Sequence, residues 1–148
     1  MVTIIGIVAS IAIPNLLASR RAANEAAAQS SLRTISSCEA SYQATDGAGI
    51  YGDLATLGAR KLMDAQIASG SKSGYQFVAN PVLATPAQFW AYAIPLVNSG
   101  IGQTSTRRYA VTEDGVLRGD RTLTAPASHA AVVGSGTPLT GGIAPLGN

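Results

Sequence analysis

The first nineteen residues of the chain carry no charged side chain, and the change in character after them is the strongest constraint on the fold. Ile, Leu, Val and Ala dominate this run, whereas residues 20–42 open with two arginines and mix Ala with polar side chains. The second stretch has apolar residues at helical spacing and contains neither Gly nor Pro. Together they predict one long helix, apolar over residues 1–19 and amphipathic over residues 20–45.

The length and flanks of the apolar run limit what it can be. A secretory signal peptide opens with basic residues, and none precede this run. A membrane span needs about 20 apolar residues, whereas residues 1–18 reach only about 27 Å as a helix with Pro14 inside. A buried core helix is the third alternative, but a chain of 148 residues has few surfaces to cover it on all sides. We expect a segment that lies in a bilayer first and in the core of a polymer later.

The same residues resemble a known family. The run from Ile4 to Leu17, followed by residues 18–25, is similar to the N-terminal helix of type IV pilins and of type II secretion pseudopilins. Looser similarity continues at residues 31–35, 42–45, 51–57 and 112–116. The resemblance implies a structural subunit that waits in the inner membrane and then polymerises into an extracellular helical filament.

The resemblance also implies site residues and partners. The residues that match the filament core are Ile4, Ile5, Gly6, Ile7, Ile11, Ile13, Pro14, Leu16 and Leu17. Arg20 and Arg21 either lie at the membrane interface or form a solvated helix face. The implied partners are further copies of the chain, an assembly ATPase, a membrane platform protein and a prepilin peptidase.

The sequence departs from the family at its start. Family members begin with a methylated Phe or a similar residue after a short basic leader, and a nearby Glu helps to register each new subunit. None of these features precedes Ile4, so we expect the native chain to start upstream of Met1. Two alternative functions remain open, a major pseudopilin of a type II secretion system and a membrane-anchored binding module.

Residues 46–121 are predicted to form a head on this helix, within one domain of residues 1–148. The turn at residues 46–49 ends the helix at about Ala44, and Asp53 caps a short helix that packs Leu54, Leu57 and Leu62 on it. Strand patterns cover residues 75–80, 88–94, 108–112 and 116–118. The predicted fold class is α+β, with the long helix packed on a three- to four-stranded antiparallel sheet and an extended C-terminal tail at residues 122–148.

Two further expectations concern side chains and assembly. One sheet face is expected to bury Trp90 and most aromatic residues, leaving the other face polar. Cys38, the single cysteine, is predicted to be a small core residue rather than a reactive thiol. In the assembled filament, Gly6 and Pro14 are expected to bound an interruption of the helical hydrogen bonds.

Composition and motifs give little indication of a catalytic, metal-binding or nucleic-acid-binding site. Only 12% of residues are charged and the basic residues are dispersed, which argues against a nucleic-acid surface. His129 lies in the tail and is expected to be solvated, and no Cys and His cluster has zinc spacing. Glu113, Asp114 and Asp120 are better explained by a turn than by calcium. We expect no enzyme activity, no cofactor and no metal.

Overall fold

A computed structural model describes the backbone of residues 2–133 and 144–145, and the side chains of residue 10 and residues 12–133. Helix α1 spans Val2–Ala44 and continues through Pro14. The predicted interruption concerned the assembled state, and it stays a prediction. The end of the helix agrees with the sequence pattern, because the amide of Gly47 donates to the carbonyl of Tyr42 at 2.7 Å and turns the chain.

The elements after α1 form two short helices, a sheet and a further helix. The helices are α2 (Leu54–Ala59), α3 (Ala65–Ala68) and α4 (His129–Val133). The strands are β1 (Ser71–Lys72), β2 (Tyr75–Val82), β3 (Gln88–Pro95), β4 (Arg108–Thr112), β5 (Arg118–Asp120) and β6 (Ala144–Pro145). Within the described residues these strands form one antiparallel sheet in chain order. The α+β class is therefore confirmed.

One stripe of α1 packs on the inner face of this sheet. Ala28, Leu32 and Ile35 are buried at helical spacing. The sheet residues in the same core are Tyr75, Phe77, Ala79, Phe89, Ala91, Ala93, Tyr109 and Val111. The alternation of Tyr75, Phe77 and Ala79 with less buried neighbours follows the period of two that a strand imposes.

The short helix after the turn agrees with its prediction. The Asp53 carboxylate accepts from the amide of Thr56 at 2.7 Å and caps α2. Leu54 and Leu57 are buried, while Leu62 is half-buried. Cys38 is buried as predicted, and its thiol donates to the carbonyl of Leu62 at 2.9 Å.

The sheet has more strands than the three to four predicted. The predicted strands are present as β2 to β5, although β5 begins at Arg118 rather than Val116. The additional strands β1 and β6 are two residues long each, which is too short to show an alternating pattern.

The outer face of the sheet is apolar at its centre, and the prediction of a polar face was wrong. Trp90 and Tyr92 lie there with their ring centroids 5.3 Å apart. Helix α4 covers them with the buried Val132, which packs with Ala110 of β4. The sequence pattern could not show which face of β3 packs on α1, because both faces of this strand carry apolar residues.

The C-terminal tail does not run as one extended segment. It forms α4 over residues 129–133, and β6 pairs with β5 through Gly119 and Ala144. The sequence analysis predicted an extended tail and did not predict the helix. Residues 134–143 and 146–148 lie outside the described part of the chain.

Candidate functional site

The N-terminal half of α1 presents apolar side chains to solvent. Ile13 is 58% exposed and Leu16 is 69% exposed. A shallow apolar surface around them is lined by helix residues alone, and no head residue contributes to it. Covering one such side chain is worth roughly 1.5–3 kcal/mol, so this surface favours association. We call residues 12–19 the apolar arm.

The first hydrogen bonds between the head and α1 come just after the apolar arm. The Asn24 amide donates to the carbonyl of Thr104 at 3.0 Å, and the Arg21 Nε donates to the carbonyl of Gln103 at 3.2 Å. Arg20 remains exposed, whereas Arg21 is half-buried. The sequence analysis gave the two arginines the same role, but their surroundings differ.

Glu25 joins the helix to the head through four hydrogen bonds. One carboxylate oxygen accepts from the Ser105 hydroxyl at 2.6 Å, from the Thr106 hydroxyl at 3.3 Å and from the Thr106 amide at 3.4 Å. The other accepts from the Tyr109 hydroxyl at 3.1 Å. Ser105 in turn accepts from the Tyr75 hydroxyl, so the network reaches the centre of the sheet.

Glu39 is a second carboxyl on the same stripe, and it is fully buried. One oxygen accepts from the amide of Gly52 at 3.0 Å, and the other has no hydrogen-bond partner among the described residues. Burial raises the pKa of Glu39 to about 7, opposed by the Gly52 hydrogen bond and assisted by the charge of Asp53. The group is therefore largely protonated at slightly acidic pH.

The sequence analysis did not identify these two carboxyls, although a signal was present. Glu25 and Glu39 are the only acidic residues in the first 45, and they share helical spacing with Ala28, Leu32 and Ile35. An acid on an apolar stripe indicates a buried polar contact. Its partners lie far along the chain and could not be read from the pattern.

A cleft lies where the apolar arm meets the head, with a volume of about 410 Å³. Its helix wall consists of Leu17, Arg20, Arg21 and Asn24, four residues that share one face of α1. The opposite wall is the turn at residues 73–74 and the loop at residues 101–104. The ten lining residues include two arginines and no acid.

The polar groups of β4, β5 and the loop between them form ion pairs. The Arg108 guanidinium makes two bonds of 2.8 Å to the carboxylate of Asp120, and the Arg118 guanidinium binds Asp114. Hydrogen bonds to Arg118 and to Thr112 lower the pKa of Asp114 to about 2, against the opposing effect of burial. These contacts tie β4, β5 and the loop between them together.

His129 is not solvated as the sequence suggested. Its Nε2 lies 2.8 Å from a carboxylate oxygen of Glu113, and the side chain is 16% exposed. Among the described residues, no three His, Cys, Asp or Glu side chains form a group that could hold a metal ion. The contact between His129 and Glu113 therefore joins α4 to the loop after β4.

The structure reaches only part of the predicted filament core. It places Ile13, Pro14 and Leu16 on exposed positions of α1 and leaves Leu17 half-buried in the cleft. For Ile4, Ile5, Gly6, Ile7 and Ile11 only the helical backbone is described. Among the described residues, no helix combines the length and hydropathy that crossing a membrane requires.

Comparison with known proteins gives no relative for the chain. No protein-family model matches it, and neither the curated proteins nor the solved structures include a significant match.

Proposed function

We propose that this chain is the structural subunit of an extracellular type IV pilus-like helical filament and polymerises through the apolar half of α1. Before assembly the same half holds the subunit in the inner membrane. The observation that carries the proposal is the exposure of Ile13 and Leu16 on a helix whose other half is packed on the head. The N-terminal resemblance to pilins supports the same conclusion.

The difference between the exposed first half of α1 and its packed second half supports ordered assembly. Asn24, Glu25 and Glu39 bind the second half of the helix to the head through hydrogen bonds. The apolar arm has no such contact with the head over residues 12–16, where every residue is exposed. An apolar surface on a firmly held helix offers a partner a fixed geometry, which lowers the entropic cost of binding.

The chemistry of the arm fits repeated copies of one chain. Its side chains are aliphatic or small, and it carries no charge before Arg20. Packing of such helices against one another buries Ile and Leu without leaving an unpaired charge in the interior. When one surface of each copy binds a different surface of the next copy, the copies add head to tail. Such a chain of copies forms a helical filament unless the rotation from one copy to the next closes it into a ring.

A pair of charge substitutions tests this proposal. Leu16→Asp places a carboxylate on the arm, and Leu83→Asp is the matched control because Leu83 is 84% exposed on the head. We expect Leu16→Asp to reduce fibre yield at least tenfold, since one unpaired buried charge costs several kcal/mol. Leu83→Asp should assemble like the unmodified chain.

Fibre mass is measured by sedimentation and electron microscopy, and circular dichroism reports the fold of each variant. Equal fibre yield from Leu16→Asp and the unmodified chain would refute assembly through the arm. A loss of fibres from both variants would also count against it, because the effect would then not belong to the arm.

A further inference from the structure

The cleft between α1 and the head has the chemistry of a phosphate site. Arg20 and Arg21 lie on one wall, and the lining contains no carboxylate to neutralise them. Arginine binds phosphate through paired N–H groups, and it keeps its charge at all physiological pH values. The one nearby acid of α1, Glu25, is engaged by Ser105, Thr106 and Tyr109.

The arginines retain donors for a ligand. The bond from Arg21 to the carbonyl of Gln103 uses Nε, which leaves both terminal nitrogens of its guanidinium for a further contact. That same bond limits where the guanidinium can lie, so part of the entropic cost of ligand binding is met by the fold. Arg20 is exposed at the mouth of the cleft and adds the second charge.

The opposite wall approaches closely because Gly74 lacks a side chain. Its φ is +76°, and a Cβ there would lie 2.9 Å from the Thr104 side chain and 3.3 Å from the Asn24 amide nitrogen. The turn therefore packs against the loop at residues 101–104. The result is a concave surface rather than two separate exposed arginines.

Apolar groups border the cleft on two sides. Leu17 lines it from the helix, and Ile101 lines it from the loop while remaining 83% exposed. Leu96 and Val97 are also exposed, and their backbones are hydrogen-bonded to Gly74 and Thr104 of the cleft wall. Ile13 lies seven residues before Arg20, which is about 10 Å along the helix. Phosphate therefore has apolar surface beside it, as it does in a phospholipid at the hydrocarbon boundary.

We propose that the cleft formed by Arg20, Arg21 and the loop at residues 101–104 binds the phosphate of an anionic phospholipid headgroup, with Ile101 and the apolar arm against the acyl chains. The inference rests on the proposed function, because it assigns a lipid contact to the subunit before assembly. It makes the cleft a site that sets the depth and orientation of the head at the membrane surface.

Vesicle co-sedimentation of the monomer tests the site. We compare phosphatidylcholine vesicles with vesicles that also contain phosphatidylglycerol, for the unmodified chain and for Arg20→Gln, Arg20→Gln with Arg21→Gln, and Arg33→Gln. Arg33 is the matched control because it is an exposed arginine of the same helix outside the cleft. It lies about 20 Å from Arg20, well beyond the screening length of roughly 10 Å.

On the vesicles with phosphatidylglycerol we expect Arg20→Gln to bind about fivefold less and the double variant roughly 25-fold less. Arg33→Gln should bind like the unmodified chain, and none of the three should change binding to phosphatidylcholine. Ile101→Ser should weaken binding to both vesicle types. Equal losses for Arg20→Gln and Arg33→Gln would overturn the site, because they would indicate general charge attraction.

Inorganic phosphate separates the lipid from a free anion. We expect it to compete only weakly, since it lacks the acyl chains that contact Ile101 and the arm. Complete displacement by inorganic phosphate, with no dependence on Ile101, would overturn the assignment to a lipid. Failure of the proposed function gives a different result, namely fibres that form without regard to Leu16 in lipid-free buffer.

Discussion

The two halves of α1 have different surroundings although they belong to one uninterrupted helix. The first half is exposed to solvent over residues 12–16, and the second is packed on the head. The first half exposes Ile13 and Leu16, whereas the second half buries side chains of the same size against the sheet, among them Leu32 and Ile35. The packed half also carries two acids, each matched to donors from the head. The comparison teaches that helix formation and fold stability are separate properties here, since only the packed half contributes side chains to the core.

This difference has a direct consequence for stability. A core residue removed from the packed half leaves a cavity, while the same change in the apolar arm removes only solvent contact. The head should therefore unfold with the packed half of α1 and largely without the arm. The experiments below compare the two halves on that basis.

The largest expected effect is that of Leu32→Ala. Leu32 is fully buried between α1 and the sheet, so its truncation should lower the free energy of unfolding by about 2–5 kcal/mol. Leu16→Ala, the matched change in the arm, should alter it by less than about 0.5 kcal/mol. Urea unfolding of the monomer, followed by tryptophan fluorescence, measures both. A large effect of Leu16→Ala would contradict the comparison.

The next effect is a dependence of stability on pH that belongs to Glu39. Its pKa in the folded state is about 7, above the ordinary value of 4.5, so the folded state binds more protons between these values. The free energy of unfolding should therefore fall as pH rises from about 4.5 to 7, by roughly 3 kcal/mol at most. The low pKa of Asp114 acts below this window.

Glu39→Gln isolates that contribution because the amide resembles the protonated carboxyl. Urea unfolding of the variant at several pH values should show a slope that is smaller in this window than that of the unmodified chain. If the two slopes are equal, Glu39 is not the titrating group. Stability that rises with pH in the unmodified chain alone would contradict the sign of the prediction.

A smaller effect is expected at Glu25. Glu25→Ala leaves the buried hydroxyl of Ser105 and that of Tyr109 without their acceptor, at a cost of roughly 1–3 kcal/mol in the free energy of unfolding. Glu25→Gln keeps one carbonyl acceptor and should cost less. Hydrogen exchange in the loop at residues 103–106 should accelerate in the alanine variant more than in the glutamine variant. Unchanged exchange would show that Glu25 does not hold this loop on α1.

Much of the architecture could be predicted because it follows from local patterns. The end of α1, the cap at Asp53 and the strands at residues 75–80 and 88–94 each depend on residues close together in the chain. The contacts of Glu25 could not be predicted, since they join positions about 80 residues apart. The outer position of Trp90 was missed because β3 is apolar on both faces.

Of the candidate site, the exposed apolar arm could be expected from the sequence, whereas the cleft could not. Exposed Ile13 and Leu16 follow from a run of apolar residues that a small head cannot cover. The cleft does not follow from the run, because it needs the loop at residues 101–104 to meet the helix face that carries Arg20. The close approach of the loop to the helix depends on the absence of a Cβ at Gly74. Such a packing contact leaves no periodic pattern in the sequence.

The smallest effect on the head is expected from Pro14→Ala, and it tests the comparison most strictly. Proline inside a helix costs about 3 kcal/mol, because its nitrogen has no hydrogen to donate and its ring crowds the preceding turn. Pro14 is exposed in the apolar arm, so its replacement should stabilise the arm as a helix. The mean residue ellipticity at the helical minimum should increase in the monomer, while the urea midpoint of the head stays unchanged within error. If the head instead gains the full 3 kcal/mol, the arm and the head unfold as one unit, and the apolar arm is not the independent half that the exposed Ile13 and Leu16 indicate.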